Sequence, residues 1–87
     1  MNRMDAMNWA AKLIEAVNNL PENADIHGFQ LLLNTDTKPY HMDLSIHLSG
    51  RADMPAVAGK RYSGWHEVRT YIMPDVYAWW SEDNSDD

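Results

Sequence analysis

The stretch YHMDLSIHLS, residues 40–49, alternates apolar and polar side chains along its whole length. Its apolar members are Tyr40, Met42, Leu44, Ile46 and Leu48. A period of two residues is typical of a β-strand with one buried face and one solvated face. The stretch therefore predicts a strand in a sheet that is covered on one side only.

A second strand is predicted just before it, over residues 26–34, where Phe29, Leu31 and Leu33 share one face. The connecting segment 35–39 ends in Pro39 and has turn composition. Together the two strands predict an antiparallel hairpin, 26–34/40–49. Residues 56–58 leave room for a short third strand at an edge, with a loop as the alternative.

Residues 4–20 predict the helix that covers this hairpin. Apolar residues recur there at spacings of three and four, which draws one stripe along a helix. The stripe consists of Ala6, Met7, Ala10, Leu13, Ile14, Val17 and Leu20. We place Trp9 at the margin of the stripe and Asn2 at the helix N-cap, and Pro21 ends the helix.

The last third of the chain allows two interpretations. In the first, Ser63 caps a helix that is interrupted near Pro74, and Asp75 caps a short terminal helix. In the second, Ser63-Gly64 is a tight turn and residues 65–72 form a strand rich in β-favouring side chains. We favour the helices, because the three-four spacing recurs on both sides of Pro74.

These elements predict a single small α+β domain over residues 1–81. An N-terminal helix packs on a small antiparallel sheet, and the C-terminal segment is helical. Residues 82–87 are predicted to form an acidic, disordered tail.

Composition excludes several classes of function. The 87 residues include no cysteine, so a disulfide framework and a cysteine zinc site are absent. Apolar runs reach only five residues, as in residues 76–80, far below the ~20 needed to span a membrane. The N-terminus lacks the apolar core of a secretory signal. These features favour a cytoplasmic protein.

Charge is concentrated at the C-terminus. The net charge is −6; residues 1–69 carry eight acids and seven bases, whereas residues 70–87 carry five acids and no base. Direct nucleic-acid binding is disfavoured, because phosphate contacts need clustered Lys and Arg. The acidic end has two interpretations, a solubilising tail or a patch that meets a basic partner.

Chemistry-bearing motifs are sparse. His41, Asp43 and His47 share the polar face of the second predicted strand, but His47 is too far along the strand to join the other two at one ion. The chain has no nucleophile elbow, phosphate loop or dinucleotide motif. We therefore predict no catalytic residue, metal or cofactor, and treat a histidine-based metal site or enzyme as an alternative.

The segment after Pro74 is the strongest candidate for a binding site. It combines aromatic side chains, which are enriched at binding hot spots, with carboxylates. The alternative is that its tryptophans belong to the core. The candidate partner-binding residues are Asp75, Tyr77, Trp79, Trp80, Glu82 and Asp83.

The sequence thus predicts a small acidic, non-enzymatic protein-binding module. In size and acidity it is similar to small inhibitors such as nuclease inhibitors, immunity proteins and phage anti-restriction or anti-CRISPR proteins. This resemblance implies a partner with a basic surface, such as a nucleic-acid-handling protein, and a phage protein is one member of the class. A homodimer built on the sheet edge or the aromatic segment is a further alternative.

Overall fold

The computed structural model describes residues 1–84 and contains one helix followed by five strands. They are α1 (Arg3–Asn18), β1 (Ile26–Asn34), β2 (His41–Leu48), β3 (Val57–Arg61), β4 (Trp65–Met73) and β5 (Val76–Asp83). The strands form one sheet in the order β1-β2-β5-β4-β3. β2 and β5 are parallel, and the other neighbours are antiparallel. The sheet is therefore mixed, and the prediction of an antiparallel sheet is wrong.

Helix α1 starts at the predicted cap. The side-chain oxygen of Asn2 accepts a hydrogen bond from the backbone N–H of Asp5 at 2.8 Å, which satisfies a free donor of the first turn. Ala16 and Leu20, just beyond the helix, are buried, and Trp9 and Leu13 pack against the same core. The helix lies over one face of the sheet, where it contacts β5.

The buried face of α1 differs from the predicted stripe. Leu13 and Leu20 belong to the stripe and pack inward, but Met7 and Ile14 are 63% and 64% exposed. Trp9, predicted at the margin, packs against the core. The helix is thus rotated about its axis relative to the prediction, so that much of its apolar stripe is uncovered.

The predicted helical C-terminal segment is wrong, because residues 65–83 form the strands β4 and β5, joined through Pro74 and Asp75. Ser63-Gly64 is the turn of the alternative interpretation, and Gly64 has a φ of 85°, which glycine adopts without strain. In β5, Val76, Ala78 and Trp80 are all buried on the face beneath α1. This period of two is incompatible with a helix.

The core lies between α1 and one sheet face. Its buried members are Ala16, Leu20, Leu44, Ile46, Leu48, Ala52, Val76, Ala78 and Trp80. Strand β5 continues through Glu82 and Asp83, so the first two residues of the predicted tail pair with β4. Residues 85–87 lie outside the described residues. Within residues 1–84, no helix is long and apolar enough to cross a membrane.

Candidate partner-binding site

The sheet face opposite α1, called here the open face, carries a second set of side chains from the central strands. Ser45 and His47 of β2 stand beside Tyr77 and Trp79 of β5, in the parallel register between the two strands. These residues alternate with the core positions Leu44, Ile46, Val76 and Ala78. Since α1 is the only helix in residues 1–84, no helix covers the open face.

A groove of about 450 Å³ crosses this face and is called here the tryptophan groove. Along β5 its residues are Trp79, Ser81 and Asp83, which share one side of the strand. On β4, Trp65 pairs directly with Asp83. Ser81 is exposed, so the groove is open to solvent between its two tryptophans. The complete lining is His47, Ser63, Gly64, Trp65, Trp79, Ser81 and Asp83.

Ring stacking holds both tryptophans in place. The imidazole of His47 stacks on the Trp79 ring, with centroids 4.0 Å apart and planes 7° apart. His27 meets His47 edge-on at 4.9 Å. At the other end, Tyr62 stacks on Trp65 at 4.3 Å. The indoles are therefore preorganised, which lowers the entropy cost of using them as contact surfaces.

The groove has negative electrostatic character. Asp83 is exposed, and its side chain has no hydrogen-bond or ion-pair partner within residues 1–84. The pKa of His47 is lowered, first by burial and then by the nearby His27, so its imidazole is neutral at pH 7. The carboxylate of Asp83 thus lies beside the two tryptophan rings, and the neutral His47 adds no positive charge to balance it.

Only two of the six predicted partner-binding residues line the groove, Trp79 and Asp83. Trp80 points to the opposite side of β5 and is 2% exposed, so it belongs to the core. Its indole N–H donates to Glu82 at 2.7 Å, which engages that carboxylate beside the core.

The other two predicted residues are also engaged within the fold. Asp75 forms an ion pair with Lys12 of α1. Tyr77 lies on the open face but is buried, with the guanidinium of Arg69 4.4 Å from its ring centre. Neither side chain is free to meet a partner in this arrangement.

Trp65 and His47 are groove residues that the sequence did not single out as partner-binding. The strand interpretation of residues 65–72 would have placed Trp65 on a sheet face. Only the pairing of β4 with β5 shows that it faces the same groove as Trp79. That pairing depends on a tertiary contact that local periodicity does not encode.

The histidines are distributed over separate structural contacts. His41 Nε2 lies 3.2 Å from Asp43 Oδ1, and Asp43 also accepts a hydrogen bond from Asn34 at 2.9 Å. His66 pairs with Asn84. Within residues 1–84, no group of three metal-ligating side chains is close enough to hold an ion.

No family model, curated protein or solved structure matches this chain.

A weak pH dependence of stability follows from His47. Its pKa is lowered on folding, so the unfolded chain binds the proton more readily. We therefore expect His47 to leave the free energy of unfolding unchanged above about pH 6.5. Below that pH, the free energy of unfolding should fall until the folded-state pKa of His47 is reached. Thermal unfolding of the protein and of His47→Gln at pH 8 and pH 5.5 measures it. The variant should gain stability relative to the parent at the lower pH; an unchanged difference would contradict the assignment.

Proposed function

We propose that this protein is a non-enzymatic protein-binding module that docks a basic segment of its partner in the tryptophan groove. The observation that carries the proposal is the carboxylate of Asp83, which has no ion-pair partner within residues 1–84 and lies beside Trp65 and Trp79 on an uncovered sheet face. Aromatic faces and a carboxylate together favour one kind of group, a cation with a flat or extended apolar surface.

Arginine fits this description better than lysine. Its guanidinium stacks on aromatic rings and also donates hydrogen bonds to a carboxylate. The chain uses the same chemistry internally, where Arg69 lies over Tyr77 and donates to Glu67 at 2.8 Å. The tryptophan groove provides aromatic rings and a carboxylate, and its described lining includes no Lys or Arg.

The net charge of −6 supports a partner with a basic surface. Long-range attraction would speed association with such a surface and depend on salt. We extend the proposal to an inhibitor that occupies the basic surface of a nucleic-acid-handling protein in the cytoplasm. This extension rests on size, charge and the absence of cysteine, whereas the binding site rests on the groove.

The first test is a titration with a short arginine peptide, followed by ¹H–¹⁵N spectra of the indole N–H groups. The chain has four tryptophans, and the groove holds Trp65 and Trp79. We expect these two signals to shift, while the signals of Trp9 and the core Trp80 stay in place. The same peptide with citrulline, the neutral isostere of arginine, is the matched control. Equal shifts with both peptides, or shifts confined to Trp9 and Trp80, would contradict the proposal.

With a partner captured from the native host, two variants should fail in different ways. Trp79→Ala should weaken binding by about 2 kcal/mol, or ~30-fold, mainly through faster dissociation. Asp83→Asn should slow association and flatten its salt dependence. Surface plasmon resonance at several salt concentrations measures both. Asp53→Asn, an exposed carboxylate in the loop before β3, is the control and should bind as the parent does.

A further inference from the structure

Strand β1 is an edge strand whose one irregularity is a register shift near its start, between Ile26 and Gly28. Its sequence, IHGFQLLLN, has no charged residue and no proline, and its register with β2 is regular from Gly28 to Asn34. Edge strands of monomers are commonly protected by charges, prolines, bulges or short length. The opposite edge, β3, shows this protection, since it has five residues, Lys60, Arg61 and a register shift.

Beside this edge lies an apolar surface on the α1 side of the sheet. Phe29 and Leu33 share a face with Leu31, since they pair with the inward-facing Ile46 and with Met42. They are 61% and 60% exposed. A groove of about 320 Å³ separates them from α1. It is lined by Met1, Ala6, Trp9, Ala10, Leu13, Phe29, Gln30, Leu31 and Leu44.

The uncovered part of the α1 stripe continues this surface. Ala6, Ala10 and Leu13 line the groove, and Met7 and Ile14 follow them around the helix on the same side. Arg3 lies on the same side of the helix as Met7 and Ile14, and the other charged residues of α1 lie elsewhere on its circumference. An exposed helix flank that begins at Arg3 and an exposed strand edge therefore form one largely apolar surface on a protein whose net charge is −6.

We propose that a second copy of this chain covers this surface, through antiparallel pairing of β1 with β1 about a two-fold axis at Leu31. This register places Phe29 opposite Leu33 of the second copy, and Leu31 opposite its own copy. Phe29, Leu31 and Leu33 then each contact an apolar side chain of the second copy. The unpaired backbone N–H and C=O groups of the two edge strands form hydrogen bonds with each other. The result is a continuous ten-stranded sheet with a shared apolar layer between the two helices.

Area and charge both favour a second copy over another occupant. An aromatic side chain such as Phe29 buries roughly 150–250 Å² when fully covered. Met7, Ile14 and Leu33, each at least 60% exposed, add to the area that a second copy can cover. Strand pairing adds to this and approaches the ~800 Å² per partner of a standard interface. A basic partner would meet Arg3 and no carboxylate among the described residues of this surface, whereas the two β1 edges carry no charged residue and can pair without repulsion.

Sedimentation velocity over a concentration series gives the first test. We expect a dimer that closes at two copies, because an isologous contact leaves no free β1 edge. Leu33→Lys should weaken it at least ~10-fold, by placing a charge opposite Phe29. Val57→Lys, at an exposed position on the other edge strand, is the matched control and should leave the dimer intact. A monomer at all concentrations, a larger assembly, or a dimer sensitive only to Val57→Lys would overturn the proposal.

Cysteine cross-linking tests the register, since the chain has no cysteine of its own. Directly opposed residues have Cβ atoms ~4.5–5.5 Å apart, close to the distance that a disulfide spans. Leu31→Cys should therefore form a covalent dimer under mild oxidation. Leu33→Cys should not link to itself, because the two positions are about 13 Å apart along the strands. Failure of Leu31→Cys to cross-link, or equal cross-linking by Leu33→Cys or Val57→Cys, would overturn the proposed pairing.

Discussion

Replacing Trp80 by alanine is expected to lower the free energy of unfolding by about 3–5 kcal/mol. The side chain is 2% exposed and packs with Ile46 and Val76 in the core beneath α1. Its removal leaves a cavity and also deprives Glu82 of an indole hydrogen bond. For a small domain whose total stability is roughly 5–15 kcal/mol, this is a large fraction.

The neighbouring Trp79 provides the matched comparison. It lies on the open face, partly exposed, where its principal ring contact is the stack with His47. Trp79→Ala should therefore cost clearly less stability than Trp80→Ala, and its main effect should be on partner binding. Urea unfolding followed by circular dichroism compares the two variants. Equal losses of stability would mean that the two faces of β5 are assigned wrongly.

This contrast between adjacent tryptophans shows how far the sequence could predict the site. The sequence singled out the aromatic and acidic segment after Pro74 as a candidate binding site, but the helical interpretation could not separate Trp79 from Trp80. A spacing of four, as between Val76 and Trp80, fits one face of a helix and also one face of a strand. Ala78 decides between them, because its burial between the other two requires a period of two.

Local sequence patterns could not predict that β5 lies at the centre of the sheet. β5 pairs in parallel with β2, a strand about thirty residues earlier in the chain. The hairpin of β1 and β2 could be predicted, because it joins neighbours through a short turn. The insertion of β5 beside β2 is a tertiary contact, and it sets both the core and the open face.

The orientation of α1 has a similar explanation. Periodicity identified the helix and its apolar stripe, but not which part of the stripe the sheet would cover. Packing against β5 selected Leu13, Ala16 and Leu20, together with Trp9. Met7 and Ile14 remain exposed, and the proposed second copy would cover them.

The second large effect on stability is expected at Arg69. Its side chain lies on the open face of β4 and forms an ion pair with Glu67. Arg69 Nε donates to Glu67 Oε1 at 2.8 Å, and the guanidinium lies over the ring of Tyr77. Partial burial alone would lower the pKa of Arg69, but hydrogen bonds with Tyr71 and Glu67 raise it above its usual range. The guanidinium therefore stays charged and balances the buried Glu67.

Gly59 of β3 allows this close packing. A Cβ at position 59 would lie 2.8 Å from Oε1 of Glu67 and 3.0 Å from Nε of Arg69, which is too close for either contact. The absence of a side chain lets β3 cover the ion pair. The pair is thus enclosed by its own strand neighbours, and loss of Arg69 leaves Glu67 with a long hydrogen bond of 3.5 Å from the backbone N–H of Lys60 in place of its ion pair.

Arg69→Met should destabilise the fold by about 3 kcal/mol, because it leaves the Glu67 carboxylate buried and unpaired. Part of that loss would come from contact with Tyr77, so a double-mutant cycle is needed to isolate the pair. In a Glu67→Gln background, the same Arg69→Met change should lower the free energy of unfolding markedly less, because no buried carboxylate is left without its cation. Free energies of unfolding from urea titrations at pH 7 give all four corners of the cycle. If Arg69→Met costs the same in both backgrounds, its contribution comes from packing on Tyr77 and the ion pair adds nothing to stability.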